Sequence, residues 1–275
     1  MKYVFDNIRI VNELLHTKKN VILLTDFDGT LTPILKHPDL VTLPEEVRQV
    51  LVNISENKAF ILGIITGRSL RQIKKLVNIP GILYAANHGV ELEGPGIRFV
   101  SKEAKKARYL LWHIYMRLFK SLKHIEGILI EDKGLSVSLH YRSVKKSGDV
   151  EHVTRILQDT IKPFLDKKML FLHTGKMVYE IRPPVKWDKA ITIKWLLTNY
   201  FPLEFSADGL LIYMGDDKAD IEVFDNLRRK GLTVFVGKPS DTSTAEYYVN
   251  SPEEVKVFLE HLYEQKNEVH NECLK

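Results

Sequence analysis

The fold of this chain is decided by one stretch, Val21-Ile-Leu-Leu-Thr-Asp26-Phe-Asp28-Gly-Thr30-Leu-Thr-Pro-Ile34. Its apolar run predicts a buried strand, and the run ends in two carboxylates and a glycine. Because residues two apart in an extended chain point the same way, Asp26 and Asp28 can serve one site. α/β sheets bind their ligands at such strand ends. A plain turn is the alternative, since Asp-Gly is common turn chemistry, so the rest of the chain must distinguish the two.

The composition is that of an ordinary globular protein. The 275 residues are 44% hydrophobic and 27% charged, and the formal net charge is +5. This length suggests one or two domains with a sizeable core. The charge is compatible with an anionic ligand but is too small to indicate nucleic acid, and the basic residues are spread along the chain.

The compartment is predicted from cysteine use and from the absence of targeting patterns. The single cysteine, Cys273, excludes an internal disulfide and a cysteine-ligated metal site. The first residues carry Asp6 and Arg9 and therefore lack the apolar core of a signal peptide. No apolar run approaches membrane-spanning length. We therefore expect a cytoplasmic protein with no membrane partner.

Strand and helix patterns alternate along the first part of the chain. After the opening strand come predicted strands at Phe60 to Ile65 and Ile82 to Ala86, each followed or preceded by a helical pattern. This alternation predicts a parallel, doubly wound sheet of the α/β class. Residues 95–183 instead read as a mixed set of strands and helices, after which the alternation resumes. The sequence thus predicts a core of residues 1–94 and 184–275 and a smaller inserted α+β domain of residues 95–183.

Polar residues follow four strands of the predicted sheet. They are Asp26-Phe-Asp28, Thr66-Gly67-Arg68, the region of Lys189, and Gly215-Asp216-Asp217. Together they supply what phosphoryl transfer to a carboxylate nucleophile requires, with Thr66 and Lys189 binding the phosphoryl group. Thr66 and Lys189 also have simpler interpretations, because Thr66 could cap a helix and Lys189 could be an exposed first-turn lysine.

A second acidic group lies near the start of a predicted helix. Asp216 and Asp217 are four and three residues before Asp220, so the three side chains crowd one helical face. Favourable interaction with the helix dipole is the alternative explanation. Beside Asp26 and Asp28, oxygen ligands of this kind favour a hard cation, and a site with room for phosphate favours Mg²⁺.

Several motifs, spread over nearly the whole chain, carry a resemblance to a known family. In chain order they are Asp26-Phe-Asp-Gly-Thr-Leu-Thr-Pro-Ile34, Thr66-Gly-Arg68, His88-Gly89, Glu131-Asp-Lys-Gly-Leu-Ser-Val-Ser-Leu-His-Tyr-Arg142, Glu180-Ile-Arg-Pro183, and Gly215-Asp-Asp217 with Asp220. The sequence resembles the trehalose-6-phosphate phosphatases of the haloacid dehalogenase (HAD) superfamily. The resemblance implies a HAD-like Rossmannoid core with an inserted C2-type cap, and hydrolysis of trehalose 6-phosphate through an aspartyl-phosphate.

The resemblance also implies roles for individual residues. Asp26 would be the nucleophile and Asp28 the general acid and base, beside the phosphoryl-binding Thr66 and Lys189. The implied Mg²⁺ ligands are Asp26, Asp28 (through its backbone carbonyl), Asp216 and Asp217. Whether Asp217 and Asp220 are ligands or support the ligands is left open.

The inserted domain is expected to recognise the sugar. Along 135–142, apolar and polar residues alternate, so one strand face is polar. By resemblance, Glu131, Lys133 and Glu180 would bind sugar hydroxyls, although a plain solvent-facing sheet is the alternative. The other substrate-binding residues that the resemblance implies are Gly67, Arg68, Asn87, His88 and Arg142.

Three other functions compete with this one. A phosphatase of the same superfamily could act on glucosylglycerol phosphate, sucrose phosphate or a glycosyl-phosphoglycerate. A non-catalytic sugar-phosphate sensor would be expected to have lost Asp26, Asp28 or Lys189, and all three are present. Nucleic-acid binding has no supporting motif. Trehalose-6-phosphate synthase is a candidate partner, and the sequence leaves the oligomeric state open.

Overall fold

The computed structural model describes residues 1–35, 38–175, 177–239 and 243–272. The chain divides into two compact units, Met1–Arg98 with Trp187–Lys275 and, between them, Phe99–Lys186. The boundaries expected from the sequence, after residues 94 and 183, lie a few residues earlier. Cys273 lies outside the described residues.

Strands and helices alternate through most of the chain. The strands are β1 Lys2–Tyr3, β2 Val21–Thr25, β3 Phe60–Ile65, β4 Leu83–Ala86, β5 Glu91–Gly94, β6 Ile97–Val100, β7 Leu129–Asp132, β8 Val137–His140, β9 Phe171–Gly175, β10 Val178–Arg182, β11 Leu210–Gly215, β12 Leu232–Val236 and β13 Tyr247–Val249. The helices are α1 Ile8–Thr17, α2 Glu45–Glu56, α3 Leu70–Val77, α4 Lys102–Leu122, α5 Ser147–Asp166, α6 Lys189–Asn199, α7 Leu203–Ser206, α8 Lys218–Leu227 and α9 Pro252–Glu272. Within the described ranges, no helix has the length and apolar character needed to cross a lipid bilayer.

The main sheet is predominantly parallel. Its strand order is β1-β13-β12-β11-β2-β3-β4-β5-β6, with the last strand spanning the boundary between the units. All neighbouring pairs from β1 to β4 in that order are parallel, and β5 runs antiparallel to β4. The central position of β2 explains its unbroken apolar sequence, because a central strand of such a sheet is covered on both faces.

Helices cover both faces of this sheet. Val21 and Leu23 of β2 belong to a core that includes buried residues of α1, α2, α3 and α9. The alternate residues of a strand point to the opposite face, where Tyr213 of β11 packs against Phe224 of α8. The predicted doubly wound α/β fold is therefore confirmed.

The second unit is an α+β domain with its own core. Its sheet has the order β7-β8-β10-β9, and all three neighbouring pairs are antiparallel. Val137, Leu139 and Ile181 on one face pack against apolar residues of α4 and α5, such as Leu111 and Leu157. The opposite face is polar, which is the alternation expected when helices cover only one side of an antiparallel sheet.

The predicted polar loops lie at one edge of the main sheet, with one correction. The parallel strands β2, β3, β4 and β11 all end at the same edge, so the residues that follow them converge. The sequence placed the Lys189 region both after a strand and at the start of a helix, and only the second placement is confirmed, because Lys189 is the first residue of α6. A helix N-terminus therefore brings the lysine to the site, rather than a strand of the sheet.

Candidate active site

Asp26 follows β2 directly and lies in the interior. Its side chain is almost fully buried, and its backbone N–H donates to the Met214 carbonyl of β11 at 2.9 Å. Lys189 Nζ lies 2.9 Å from Asp26 Oδ2. Burial raises the pKa of Asp26 well above its usual value; Lys189 opposes this, and the nearby Asp220 and Asp216 carboxylates add to it. A cation additional to Lys189 would therefore favour the ionised carboxylate.

Lys189 is a buried cation at the start of α6. Asp188 caps this helix by accepting from the backbone N–H of Ile191 at 2.7 Å. Lys189 Nζ donates to Asp220 Oδ1 at 2.7 Å, in addition to its contact with Asp26. Burial alone would lower the pKa of Lys189, but the Asp220 and Asp26 carboxylates outweigh it and raise that pKa. These two anions offset the unfavourable position of a lysine at a helix N-terminus.

Asp220 is fully buried and accepts from donors on both of its oxygens. Its Oδ2 accepts the backbone N–H groups of Asp216 and Asp217, each at 3.0 Å. Its Oδ1 accepts from Lys189 and from the Tyr213 hydroxyl, the latter at 2.5 Å. Burial would raise the pKa of Asp220, but Lys189 and these hydrogen bonds lower it. Asp220 is therefore an ionised anchor that joins the turn after β11 to α6.

Asp216 is held against the turn that follows Asp28. Thr30 Oγ1 donates to Asp216 Oδ1 at 3.4 Å. Gly29 has φ +88°, and a Cβ at that residue would lie 2.1 Å from Asp216 Oδ2. Burial, and then the charges of Asp217 and Asp220, raise the pKa of Asp216 to about 8. The glycine thus permits the close approach of this carboxylate.

Asp28 is held by a bidentate ion pair with Arg68. Arg68 Nε donates to Asp28 Oδ2 at 2.7 Å and Nη2 to Oδ1 at 2.6 Å. Nη2 also donates to the Pro38 carbonyl at 3.1 Å, and the guanidinium lies 5.4 Å from the centre of the Phe27 ring. The Asp28 side chain is 38% exposed although Arg68 is buried. Asp28 is thus oriented but still accessible.

The loops after β3 and β4 are bonded to each other. The Asn87 N–H donates to the Arg68 carbonyl at 2.8 Å, and the His88 N–H to the Thr66 carbonyl at 2.9 Å. Asn87 and His88 have φ values of 49° and 60°, which are uncommon for residues other than glycine. The His88 ring packs so closely on Gly67 that a Cβ there would lie 2.7 Å from His88 Cε1. Buried Thr66 therefore belongs to a tightly packed and strained pair of loops.

The second unit carries a separate polar cluster on the open face of its sheet. Lys133 Nζ donates to Glu180 Oε1 at 3.3 Å, and Arg182 Nε donates to Glu180 Oε2 at 2.8 Å. Glu131 Oε2 and His140 Nε2 are 3.7 Å apart, too far for a hydrogen bond. The buried His140 Nε2 has no hydrogen-bond partner among the described residues. This face presents charged and polar groups suited to a polar ligand.

The sequence matches the model of one known protein family. The profile of the trehalose-phosphatases matches residues 24–259. The chain belongs to the trehalose-phosphatase family. As a member of that family it is a phosphoric monoester hydrolase.

Individual relatives agree with this family. The probable trehalose-phosphate phosphatase D of Arabidopsis thaliana is 35% identical over 264 residues, which are 90% of this chain and 68% of that protein. Trehalose-phosphate phosphatase B of the same plant is 32% identical over 260 residues, 90% of this chain and 67% of that protein. The solved C-terminal domain of a C. albicans trehalose-6-phosphate phosphatase aligns with a TM-score of 0.75 and 20% identity, over 94% of this chain and 96% of that domain. This last likeness supports the trehalose-phosphatase fold.

The carboxylates of this trehalose-phosphatase family member suit a hard cation. One oxygen each of Asp26, Asp216 and Asp220 lie within 4.8 Å of one another. Since Asp220 already accepts from four donors, Asp26 and Asp216 are the better placed ligands. The side chains of the two other predicted ligands are engaged elsewhere, because Asp28 pairs with Arg68 and the exposed Asp217 caps α8. Carboxylate oxygens in this arrangement fit a divalent cation such as Mg²⁺.

The structure sorts the residues expected from the sequence into three groups, apart from Asp217, which caps α8. Asp26, Lys189 and Asp216 form one cluster with Asp220. The second group, which combines the Asp28 ion pair with the two bonded loops, contains Asp28, Thr66, Gly67, Arg68, Asn87 and His88. The third group lies in the second unit and contains Glu131, Lys133, Arg142 and Glu180, of which Arg142 is exposed just after β8.

One residue of the site, Tyr213, was not predicted, and neither was the role of another, Asp220. Tyr213 lies in the apolar run of β11, where periodicity marks it only as core. A tyrosine in a buried strand was the available signal, because a buried hydroxyl usually needs a partner. Asp220 was recognised in the acidic group, but its part in holding Lys189 follows only from the fold.

Proposed function

We propose that this chain hydrolyses trehalose 6-phosphate to trehalose and inorganic phosphate. Family membership supports the substrate, since the similar plant proteins are named trehalose-phosphate phosphatases. The observation that carries the chemistry is the buried Asp26 carboxylate at the end of β2, 2.9 Å from Lys189. A carboxylate nucleophile beside a fixed cation is the arrangement that phosphoryl transfer uses.

In the first step a carboxylate oxygen of Asp26 attacks phosphorus. The bond from phosphorus to the sugar oxygen breaks, and protonated Asp28 gives its proton to that oxygen. Lys189 and Thr66 bind the phosphoryl oxygens and stabilise the charge that develops on them. In this structure Arg68 holds the Asp28 carboxylate through two hydrogen bonds, so Asp28 must leave this ion pair to carry the proton. The products are the free sugar and an aspartyl-phosphate.

In the second step a water molecule attacks the phosphorus of the aspartyl-phosphate. Asp28, now ionised, takes a proton from this water, and the bond between phosphorus and the Asp26 oxygen breaks. Inorganic phosphate leaves and both aspartates return to their starting states. The partial exposure of the Asp28 side chain is consistent with the access to water that this step needs.

The proposed cofactor is Mg²⁺. Asp26 and Asp216 would hold it, with the Asp28 backbone carbonyl and Asp217 remaining predictions from the sequence. When bound, it supplies positive charge to the phosphoryl oxygens and to the neighbouring carboxylates. This need for charge agrees with the raised pKa values of Asp26 and Asp216.

The inserted domain, residues 95–183 in the sequence-based division, is proposed to select the sugar. Glu131, Lys133 and Glu180 would bind hydroxyl groups of the disaccharide, because fixed charged groups discriminate well between polyols. Glu131→Gln is expected to raise KM for trehalose 6-phosphate about tenfold and to leave KM for p-nitrophenyl phosphate unchanged. Glu151→Gln, at an exposed carboxylate of α5 in the same unit, is the matched control. Equal effects on both substrates would argue against a sugar-binding role.

The decisive experiment measures phosphate release from a panel of sugar phosphates, with and without Mg²⁺. We expect trehalose 6-phosphate to be the preferred substrate and Asp26→Asn to be inactive. Asp208→Asn, which removes an exposed carboxylate just before β11, is the control. Mass spectrometry of acid-quenched enzyme should detect phosphate on the peptide that contains Asp26. Wild-type turnover by Asp26→Asn would refute the assignment of the nucleophile.

The same panel distinguishes the competing functions. Preference for glucosylglycerol phosphate, sucrose phosphate or a glycosyl-phosphoglycerate would reassign the substrate within the same chemistry. Absence of release from every member would favour the sugar-phosphate sensor. Association with trehalose-6-phosphate synthase and a cytoplasmic location stay predictions, which co-purification and cell fractionation would test.

A further inference from the structure

Tyr213 places a hydroxyl group in the apolar interior beside the active site. Its side chain is fully buried on β11, opposite Leu24 of β2, and its ring packs edge-on against Phe224 at 5.9 Å. Phenylalanine would fill nearly the same space without a polar atom to satisfy. The hydroxyl donates to Asp220 Oδ1 at 2.5 Å. The hydroxyl therefore has a role other than packing.

The oxygen that Tyr213 contacts is also the oxygen that binds Lys189. Asp220 Oδ1 accepts from Lys189 Nζ at 2.7 Å, and the same ammonium lies 2.9 Å from Asp26 Oδ2. Burial and the charge of Asp220 raise the pKa of Tyr213, so the hydroxyl keeps its proton and remains a donor. A chain of three contacts thus leads from Tyr213 to the proposed nucleophile.

We propose that Tyr213 is a positioning residue that keeps Lys189 shared between Asp220 and Asp26. By donating to Asp220 Oδ1, the hydroxyl partly satisfies that carboxylate oxygen and weakens its attraction for the ammonium. Without the hydroxyl, Lys189 is the remaining side-chain donor to this oxygen among the described contacts, and it shifts toward Asp220. The inference rests on the proposed function, in which Lys189 binds the transferring phosphoryl group.

The expected effect falls on the chemical step. Lys189 stabilises charge that grows on the phosphoryl oxygens in the transition state, so its displacement lowers kcat and leaves KM nearly unchanged. A tenfold loss, about 1.4 kcal/mol in activation free energy, is expected for Tyr213→Phe. Because the phosphoryl group is common to all substrates, the loss should be equal for trehalose 6-phosphate and p-nitrophenyl phosphate.

The test compares Tyr213→Phe with Tyr84→Phe. Tyr84 is also a buried tyrosine of the main sheet, but its hydroxyl donates to the Ile79 carbonyl at 2.8 Å. The Tyr84 hydroxyl also accepts from the Ile79 N–H at 3.3 Å, so Tyr84→Phe loses two buried hydrogen bonds where Tyr213→Phe loses one. The melting temperature of the control should therefore fall at least as far. Only Tyr213→Phe should lose kcat, measured at a temperature at which circular dichroism shows both variants folded. Full kcat in Tyr213→Phe, or equal losses in both variants, overturns the inference.

A double-mutant cycle with Asp220→Asn provides the second measurement. If Tyr213 acts through the Asp220 carboxylate, Tyr213→Phe should have little further effect on kcat once residue 220 is an amide. Additive losses of kcat overturn the inference even if Tyr213→Phe alone is impaired. A wild type that releases no phosphate overturns the proposed function, and this inference with it. An active wild type with an equally active Tyr213→Phe overturns this inference alone.

Discussion

Replacing Gly29 by alanine tests whether Asp216 must keep its position for activity. Gly29 has φ +88°, in the left-handed region that favours glycine, and it packs against the Asp216 carboxylate. Gly81→Ala is the matched control, because Gly81 has φ +78° and nothing lies within 4 Å of the Cβ that would be added. Both variants carry the backbone strain, and only Gly29→Ala also displaces a site residue.

The magnitudes follow from these two environments. A residue with a Cβ in the left-handed region costs about 1–2 kcal/mol, which both variants should lose in unfolding free energy. At Gly29 the added Cβ would lie 2.1 Å from Asp216 Oδ2, whereas ordinary contacts begin at 3.4 Å. The carboxylate must therefore retreat by about 1.3 Å, and an active-site misplacement of that size costs on the order of 100-fold in rate.

The assay combines urea unfolding with steady-state phosphate release in saturating Mg²⁺. We expect similar losses of unfolding free energy in the two variants, wild-type kcat in Gly81→Ala, and a loss of about 100-fold in Gly29→Ala. If Gly29→Ala matched Gly81→Ala in kcat, catalysis would not depend on the position of Asp216. Equal large losses in both variants would point to general destabilisation instead.

Three further predictions concern stability, pH and the metal. The buried Lys266 Nζ donates to the carbonyls of Leu15, at 2.6 Å, and of Lys18. Lys266→Met should therefore lower the unfolding free energy by about 1–3 kcal/mol in urea titrations and leave kcat unchanged. An unchanged unfolding free energy would contradict this prediction. Burial lowers the pKa of His261, whose Nε2 lies 2.6 Å from Asn12 Oδ1. The unfolded chain therefore binds a proton at this histidine more readily than the folded protein does. The unfolding free energy should fall as the pH drops below 6.5. His261→Gln should have a flatter dependence of melting temperature on pH than the wild type, and equally steep curves would argue against it. A chelator should abolish phosphate release and added Mg²⁺ should restore it, whereas release that is insensitive to chelation would exclude the proposed cofactor.

Local pattern predicted most of the main sheet and missed its short strands. The central strands β2, β3 and β11 are buried on both faces, so their apolar runs are visible in the sequence. Strands β1 and β13 have two and three residues, and β5 carries Glu91 and Glu93. These strands form because a neighbouring strand offers backbone partners, which no local composition reveals.

The chemical groups of this trehalose-phosphatase family member, and the order in which strands deliver most of them, could be predicted from the sequence. Residue type and short-range periodicity suffice for that, as Asp26 at the end of an apolar run illustrates. The partner of each charged side chain, in contrast, became known only from the fold. Asp28 and Arg68 are 40 residues apart, and Lys189 and Asp220 are 31 apart, yet each pair is in contact. Such pairings depend on where the sheet places strand ends and helix starts, and buried charges must find partners there.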